Sequence, residues 1–452
     1  MRIIIAGCGK IGMTLANQLT KEGHDLTIID QRLSVLEIAQ ERFDAMTLTG
    51  NCAYRTTLLD AGIQDADLLI AVTGADETNL LACMTAHGLN KKLHTIARVR
   101  DPEYSEQVMA MQDVFPLSLT VNPERRTAQE IERILKYPGF LRRDTFAKGR
   151  AEIVELRVDE DSKLSGMALA ELNSKLNCQV LICCVLRSGS AIIPKGNFVL
   201  QEGDRIFVTA PKNQLARLLK KLGIITRRVR NALLCGGGRI SLYLADFLED
   251  SGIDVTILES NPQRCRELSE LLPNVSVICG NCTNKATLEA QGIREYDALV
   301  TLTGHDETNM VISLYADSCG VPQIITKLSH SENTAIADAM NLGSMISTRE
   351  LCANNIVRYV RAMENQTGAA ISVHAIADGQ AEAVEFLVDE TTKNRNIPLK
   401  QMKLRPDVLL TSITRGSRTQ IPGGDSFMEI GDTVVVVTGE RGALQQLNDI
   451  FA

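Results

Sequence analysis

The chain has 452 residues, a length that predicts about three domains at roughly 150 residues per domain. Apolar residues make up 44% and charged residues 23%, which is typical of a globular protein and excludes a wholly disordered chain. Aromatic residues make up only 4%, with no Trp, and the net charge is −7. These values argue against a nucleic-acid partner, which requires a basic face and often stacking aromatic side chains.

The hydropathy of the chain argues against direct membrane insertion. No apolar run approaches the ~18 residues that a spanning helix needs. The opening segment Met1–Gly7 is too short an apolar run for a signal peptide. We therefore expect a cytoplasmic protein, whose 12 cysteines are reduced thiols.

The first part of the chain alternates apolar strands with helical patterns. Strands are predicted over Arg2–Ala6, Asp25–Asp30 and Leu68–Thr73, and an amphipathic helix over Gly12–Lys21. This alternation indicates βαβ units and a parallel sheet.

The segment Glu152–Ala210 has a different pattern. A short helix is predicted over Gly166–Leu172, followed by strands over Gln179–Leu186, Ser190–Ile193 and Arg205–Thr209. Turns that contain Gly separate these strands, so we expect a small α+β module.

An internal repeat relates the two halves of the sequence. A shift of 228 to 230 positions aligns the chain with itself, for example Asp30 with Glu259 (259 − 30 = 229). The other matches are Gly7–Ile11 with Gly236–Ile240, Gly50–Cys52 with Gly280–Cys282, Thr73–Asn79 with Thr303–Asn309, Arg98 with Lys327, Val154–Glu160 with Val384–Glu390, and Gly203-Asp204 with Gly431-Asp432. The fold class is therefore predicted as α/β, with two Rossmann-like parallel-sheet domains, each followed by a small α+β module.

Breaks in the pattern predict the domain boundaries. Tyr137-Pro138-Gly139 separates the parts of the first unit, and Asn365–Ala370 those of the second. The predicted organisation is Rossmann-like domains at 1–137 and 231–368, small modules at 138–222 and 369–452, and a linker at 223–230.

A glycine-rich loop predicts a dinucleotide site in the first unit. Gly7-x-Gly9-x-x-Gly12 lies between a predicted strand and a helix, where backbone N–H groups and the helix dipole can hold a pyrophosphate. Asp30 ends the next strand, and its carboxylate can accept hydrogen bonds from ribose hydroxyls. Because this carboxylate disfavours a 2′-phosphate, the pattern favours NAD over NADP.

The second unit departs from this pattern at one position. Gly236-Gly237-Gly238-Arg239-Ile240 is followed by Ser241, where the third glycine would be, and Glu259 supplies the carboxylate. We expect a Rossmann-like site here as well, and another nucleotide remains an alternative ligand.

Further candidates lie near the predicted strand ends. Asn51-Cys52 and Asn281-Cys282 follow strands in positions where the amides can bond a base edge. Thr73-Gly74 and Thr303-Gly304 end strands at the binding rim, and Arg98 and Lys327 can reach a phosphate. Thr73-x-x-Asp76 and Thr303-x-x-Asp306 also fit helix-capping signatures, so Asp76, Glu77 and Asn79 are interpreted as part of a helix start.

Other reactive residue types have structural interpretations. Cys279-Gly280-Asn281-Cys282 has CxxC spacing, but Cys279 matches Thr49 in the repeat and no second pair completes a metal site. Cys183-Cys184 is predicted to be core. None of the six His recurs in the other repeat, so no metal site and no catalytic residue is predicted.

The motifs Gly7–Gly12, Asp30, Gly50–Cys52, Asp76–Asn79 and Arg98 closely resemble the TrkA-N (RCK-N) domain. The patterns Ile193-Pro194-x-Gly196 and Gly203-Asp204 are similar to the companion TrkA-C (RCK-C) module. Two such pairs in one chain resemble the TrkA family of cytosolic regulatory subunits of Trk potassium uptake systems.

This resemblance implies a nucleotide-sensing regulator of potassium transport that is not an enzyme. It implies a homotetrameric gating ring, peripheral to the inner face of the membrane through a TrkH/TrkG-like potassium-translocating subunit, with NAD(H) as ligand and ATP or ADP as competitors. Carried over by position, the site residues are Gly7, Cys8, Gly9, Lys10, Ile11, Gly12, Asp30, Asn51, Cys52, Thr73, Gly74 and Arg98 in the first cleft, and Gly236, Gly237, Gly238, Arg239, Ile240, Glu259, Asn281, Cys282, Thr303, Gly304 and Lys327 in the second. Two alternatives remain, an NAD-dependent dehydrogenase and a regulator of another cation transporter. The dehydrogenase is disfavoured because Glu152–Ala210 contains no His for acid–base work.

Overall fold

The computed structural model describes residues 1–111, 117–136, 142–158, 162–222, 229–329, 340, 342–363, 370–439 and 444–452. Four sheets occur in this part of the chain, two with six strands and two with five. Among the described residues, no helix has both the length and the apolar character that crossing a bilayer requires.

The first sheet is parallel, with strand order 3-2-1-4-5-6, the order of a dinucleotide-binding fold. Its strands are β1 Arg2–Ala6, β2 Asp25–Asp30, β3 Ala45–Thr49, β4 Leu68–Ala71, β5 His94–Arg98 and β6 Leu119–Val121. The helices between and after them are α1 Lys10–Lys21, α2 Leu33–Arg42, α3 Arg55–Asp60, α4 Asp76–Leu89, α5 Pro102–Ala110 and α6 Pro123–Lys136. The apolar strands β1 and β4 are almost wholly buried, as expected for a sheet covered on both faces.

The third sheet repeats this topology in the second half of the chain. Its strands are β12 Asn231–Cys235, β13 Asp254–Glu259, β14 Ser276–Cys279, β15 Ala298–Thr301, β16 Gln323–Lys327 and β17 Ser344–Ile346. The described helices are α9 Arg239–Asp250, α10 Pro262–Leu271, α11 Lys285–Ala290, α12 Asp306–Ser318 and α13 Thr348–Met363.

The two five-stranded sheets form the small modules and share one strand order. The first contains β7 Arg142–Phe146, β8 Ala151–Arg157, β9 Leu181–Arg187, β10 Ser190–Ile192 and β11 Arg205–Thr209, with helices α7 Leu169–Leu176 and α8 Lys212–Leu222. The second contains β18 Ala370–Ile376, β19 Ala381–Leu387, β20 Val408–Arg415, β21 Arg418–Gln420 and β22 Thr433–Thr438. The strand pairings within both sheets are antiparallel. The predicted fold class, two Rossmann-like domains and two α+β modules in tandem repeat, is confirmed.

The chain forms two compact units, and each unit combines equivalent parts of both repeats. One unit contains residues 1–132 and 230–357, and therefore both parallel sheets. Within it, the Tyr243 hydroxyl donates to the Arg100 carbonyl and accepts from Asn122 Nδ2, each at 3.0 Å. Thr127 Oγ1 donates to Thr348 Oγ1 at 3.2 Å, so the two Rossmann domains contact each other through helices.

The other unit contains residues 133–229 and 358–452. A shared apolar core includes Phe146 and Phe207 from one module and Val435 from the other. The backbone N–H of Ala147 donates to the buried Glu385 carboxylate at 2.8 Å. The small modules therefore also pack as a pair within the chain.

Several local predictions differ from the structure. The helix predicted at Gly166–Leu172 is displaced, because Gly166 has a φ of +75° in a turn and the helix runs over Leu169–Leu176. The helix predicted from Gly12 begins at Lys10, and the strand predicted to Thr73 ends at Ala71. The breaks at Tyr137–Gly139 and within Asn365–Ala370, and most of the 223–230 linker, lie outside the described residues.

Candidate functional site

The first glycine loop has the geometry that its sequence predicts. Gly7 has a φ of +104°, and a Cβ at this residue would lie 2.9 Å from the backbone of Thr73. A Cβ at Gly12 would lie 2.0 Å from the carbonyl oxygen of Gly7, so the third glycine permits the close approach of helix and loop. A Cβ at Gly9 would meet no heavy atom within 4 Å, which leaves space for a ligand above the loop.

Asp30 is fixed at the end of its strand, beside this loop. One carboxylate oxygen accepts from the Cys8 N–H at 2.8 Å and the other from the Arg32 N–H at 3.0 Å. Burial opposes ionisation of Asp30, but the N–H donors of Arg32 and Cys8 outweigh it and lower the pKa of the carboxyl group. Asp30 is therefore a charged, oriented acceptor at neutral pH.

The second loop keeps the carboxylate contact with different residues. Glu259 accepts from the N–H of Gly237 at 2.7 Å and from the N–H of Asn261 at 2.7 Å. Burial again raises the pKa, and the Asn261 and Gly237 donors lower it by more, so the net pKa of Glu259 is lowered. The Ser241 hydroxyl donates to the Gly236 carbonyl. This carbonyl is equivalent to that of Gly7, which a Cβ at Gly12 would meet in the first loop.

Among the other predicted residues of the two loops, some side chains are exposed to solvent and others are buried. Lys10 and Arg239, the first residues of α1 and α9, are exposed. Ile11 and Ile240, the second residues of the two helices, are buried. Cys8 is buried next to Asp30, and burial followed by the Asp30 charge raises its pKa to about 11, so its thiol is protonated.

Asn51 and Asn281 form turns just after β3 and β14. The Oδ1 of Asn51 accepts from the Ala53 N–H at 3.0 Å, and that of Asn281 from the Thr283 N–H at 2.9 Å. The adjacent thiols of Cys52 and Cys282 are buried in the apolar cores of their domains. Only the backbone at these two cysteines is therefore available to face a cleft.

The ends of β4 and β5 are tied by a polar network that the sequence interpretation missed. Asn79 is wholly buried; its Oδ1 accepts from the N–H of Thr73 at 2.8 Å, and its Nδ2 donates to the carbonyl of Arg98 at 2.9 Å. Asn309 makes the same bonds to Thr303 and Lys327. A helix does start in this segment, at Asp76, but the capping prediction for Thr73 is wrong. The N-cap of α4 is Ala75, which makes no side-chain cap, and the Thr73 hydroxyl donates to Asn79 instead. The recurrence of Asn in both repeats was the available signal.

The two basic residues at the strand ends sit close to the carbonyls of the binding rim. The Arg98 guanidinium donates to the Thr73 carbonyl, and the Lys327 ammonium to the Leu302 carbonyl at 3.4 Å. Burial lowers the pKa of both groups, with Arg100 adding to the effect at Arg98. Each side chain is a partly desolvated cation that donates to a backbone oxygen. An anionic ligand bound nearby would stabilise its charged form.

A cavity of about 420 Å³ opens beside the second glycine loop. Its walls include Gly238, Arg239 and Arg264 from the second Rossmann domain, and Arg100 and Asp101 from the first. Arg100 also donates to the Gly74 carbonyl and pairs with buried Asp76 at 3.4 Å. Three arginines therefore line this cavity beside the second glycine loop, and two of them are paired, Arg100 with Asp76 and Arg264 with Glu267.

The structure brings the predicted residues together as two sets, one at the carboxyl ends of each parallel sheet. Arg100, Asn79 and Asn309 join them. No group of three potential metal-ligating side chains occurs in the described part of the chain.

Comparison with known proteins identifies the family. The TrkA-N domain model matches residues 3–114 and 232–348, and the TrkA-C domain model matches residues 153–223. The chain is 32% identical over 452 residues to the "Trk system potassium uptake protein TrkA homolog" of Archaeoglobus fulgidus, with 100% of both chains covered. It is 29% identical over 456 residues to the "Trk system potassium uptake protein TrkA" of Halomonas elongata, covering 100% of this chain and 98% of the relative.

Solved structures agree on the fold. The GsuK RCK domain superposes with a TM-score of 0.64 at 20% identity and covers 96% of this chain and 92% of its own. The structure of the "GsuK channel bound to NAD" gives a TM-score of 0.63 at 19% identity, over 97% of this chain and 76% of that one. The full-length match and both domain models together establish that the chain belongs to the TrkA family of Trk system potassium uptake proteins.

Proposed function

We propose that this chain is the nucleotide-sensing regulatory subunit of a potassium uptake system and that it acts through a membrane partner, without catalysis. The observation that carries the proposal is the oriented carboxylate beside a glycine loop, present in both Rossmann domains of a chain that matches TrkA relatives end to end. Cytoplasmic placement against the inner face of the membrane follows from the same proposal.

In the proposed first site, the Gly7–Gly12 loop and the start of α1 hold the pyrophosphate of NAD(H). Asp30 accepts hydrogen bonds from the adenosine ribose, since both its oxygens are already oriented by N–H donors. The turn at Asn51-Cys52 meets the adenine, and Thr73-Gly74 and Arg98 line the opposite wall. The NAD-bound GsuK channel, which shares this fold, supports NAD as the ligand class.

In the proposed second site the same roles fall to Gly236–Ile240, Glu259, Asn281-Cys282, Thr303-Gly304 and Lys327. The three arginines in the adjoining cavity favour a ligand with more phosphate charge than NAD, so ATP or ADP is the alternative ligand here. The structure of GsuK bound to ADP is consistent with this class.

Regulation would follow from differential binding. A nucleotide that binds one arrangement of the Rossmann pair more tightly shifts the population toward it, by no more than its difference in affinity. We propose that four copies assemble as a ring beneath a TrkH/TrkG-like subunit, so that small changes in several clefts act together on one pore.

Potassium flux tests the proposal. Vesicles containing a Trk-type potassium-translocating subunit are supplied with the wild-type chain or with Asp30→Ala, and tracer uptake is followed with and without NADH. We expect NADH to change uptake only with the wild-type chain, while both chains bind the vesicles equally. The proposal is contradicted if NADH does not change potassium uptake with the wild-type chain, or if it changes uptake equally with the wild-type and Asp30→Ala chains.

A further inference from the structure

The second Rossmann domain contains a pair of cysteines beside Glu259 that the proposed function does not use. Cys279 ends β14 and is the exposed one of the 12 cysteines. Cys265 lies in α10, six residues after Glu259, and is buried. The two residues are distant in sequence, so the pair is visible only in the fold.

Both cysteines converge on the backbone of Glu259. The parallel pairing of β13 and β14 places Cys279 directly opposite Glu259, one strand spacing away, or about 4.8 Å. The Cys265 thiol donates to the Glu259 carbonyl at 3.3 Å, and the N–H of Gly280 donates to the same oxygen at 2.8 Å. The two cysteines therefore lie on either side of a single backbone carbonyl group.

The electrostatics of the pair agree with this contact. Burial, followed by the neighbouring Cys279 thiol, raises the pKa of Cys265 to about 11. Cys265 is therefore a protonated thiol at neutral pH, and the exposed sulfur of Cys279 is the one that a soluble oxidant reaches first.

We propose that Cys265 and Cys279 form a reversible disulfide beside the second cleft, with a peroxide as oxidant. The Cys279 thiol loses its proton and its sulfur attacks one peroxide oxygen; the O–O bond breaks to give a sulfenic acid, and the departing hydroxide takes up that proton to leave as water. Cys265 then attacks the sulfenic sulfur, loses its proton, and displaces the oxygen as a second water. Two thiols are oxidised by two electrons in total, and one hydrogen peroxide is reduced.

The CxxC spacing of Cys279 and Cys282 does not describe this site. Cys282 lies in the core with Cys235, where each thiol affects the pKa of the other. Cys279 instead faces Cys265, so each member of the CxxC has a partner outside the motif.

The first Rossmann domain lacks both of these cysteines and is therefore an internal control for the oxidation. The repeat places Leu36 and Thr49 where the second domain has Cys265 and Cys279. Oxidation of this type is therefore specific to the second domain, and would tie the strand and helix on either side of Glu259 without touching Asp30.

Peptide mapping of the full chain after mild hydrogen peroxide treatment tests the proposal. Trypsin cuts after Arg264, Arg266 and Lys285, so a Cys265–Cys279 bridge joins two peptides, whereas a Cys279–Cys282 bridge stays within one. We expect the joined peptides, a fall in free thiols of the denatured chain from twelve to ten, and full reversal by dithiothreitol. Cys282→Ser is expected to leave the bridge intact.

Two variants complete the test. Cys279→Ser changes an exposed residue and should keep all other thiols reduced under the same treatment; Cys265→Ser should leave sulfenic acid on Cys279. A predominant Cys279–Cys282 bridge, or a peroxide-treated chain with all thiols free, would overturn the proposal.

Discussion

The two glycine loops reach the same carboxylate geometry with different residues. The first pairs Asp30 with Cys8, and the second pairs the longer Glu259 with Gly237. A Cβ at Gly237 would lie 3.1 Å from the Cβ of Glu259 and 2.5 Å from Leu268 Cδ1, whereas the residue that matches Leu268 in the first domain is Ala39. In the second domain the larger side chains of Glu259 and Leu268 are accommodated because the loop residue is Gly237. The hydrogen bond from the loop N–H to the carboxylate is therefore retained, although all three residues differ from those of the first domain.

The third glycine position shows a second such exchange. Gly12 has no room for a Cβ near the Gly7 carbonyl, but Ser241 fits and donates its hydroxyl to the Gly236 carbonyl. A departure from the glycine pattern is therefore compatible with a formed loop when the added atom satisfies a backbone acceptor.

Gly12→Ala should break the first loop and give the largest effect. The added methyl would lie 2.0 Å from the Gly7 carbonyl, so helix and loop must separate, with a loss of about 1–3 kcal/mol of unfolding free energy. We expect NADH binding at the first cleft to disappear in calorimetry. Ser241→Ala, which removes one hydrogen bond, is the matched control and should cost about 1 kcal/mol. Equal effects of the two variants would contradict the comparison.

Gly237→Cys tests the size exchange in the second loop. The new side chain meets Leu268 and Glu259, so we expect a loss of about 1–3 kcal/mol in chemical denaturation. Leu268→Ala added to Gly237→Cys recreates the pairing of Cys8 with Ala39. The double variant should then show a favourable coupling of about 0.5–3 kcal/mol, and strictly additive effects would refute the exchange.

The acid stability of the first loop should depend on Asp30. Its folded-state pKa is below the unfolded value of about 3.9, so its contribution is present above that value and is lost as the pH falls through the folded pKa. Asp30→Asn should therefore flatten the fall in unfolding free energy between about pH 5 and pH 2. Asp44→Asn, at an exposed site, is the control and should keep the wild-type slope.

Tyr243→Phe should have the smallest effect, because it changes the contact between the Rossmann domains and neither loop. The variant loses the hydrogen bonds to the Arg100 carbonyl and from Asn122, a loss of about 1 kcal/mol. Tyr104→Phe, whose hydroxyl bonds the exposed Glu77, should leave thermal unfolding unchanged. A Tyr243→Phe chain as stable as Tyr104→Phe would show that this contact is not energetically significant.

Much of the fold was predictable because its signals are local and repeated. Apolar strands, glycine loops and the 229-residue offset between Asp30 and Glu259 indicate two Rossmann domains without any structure. The position of Asp30 beside the Gly7–Gly12 loop was also predictable, because the carboxyl ends of neighbouring parallel strands lie at the same edge of a sheet.

What the sequence did not predict depends on contacts between distant segments. Asn79 was interpreted as part of a helix start, yet its buried amide joins β4 to β5. Arg100 has no motif, and its place beside the second loop arises from the packing of one Rossmann domain on the other. The packing of Rossmann domain with Rossmann domain, and of small module with small module, was also not predictable. Rossmann domains and small modules alternate along the sequence, so their pairing depends on tertiary contacts.

We propose that each Rossmann domain binds its own nucleotide through its own carboxylate. Calorimetric titration with NADH of the wild-type chain, Asp30→Ala and Glu259→Ala tests it most directly, with ADP as second titrant for the second cleft. We expect about two nucleotides per wild-type chain, and each variant should lose one nucleotide and retain the other, since a charge-assisted hydrogen bond contributes about 1.5–3 kcal/mol. Stoichiometry and affinity that are the same in all three chains would contradict it.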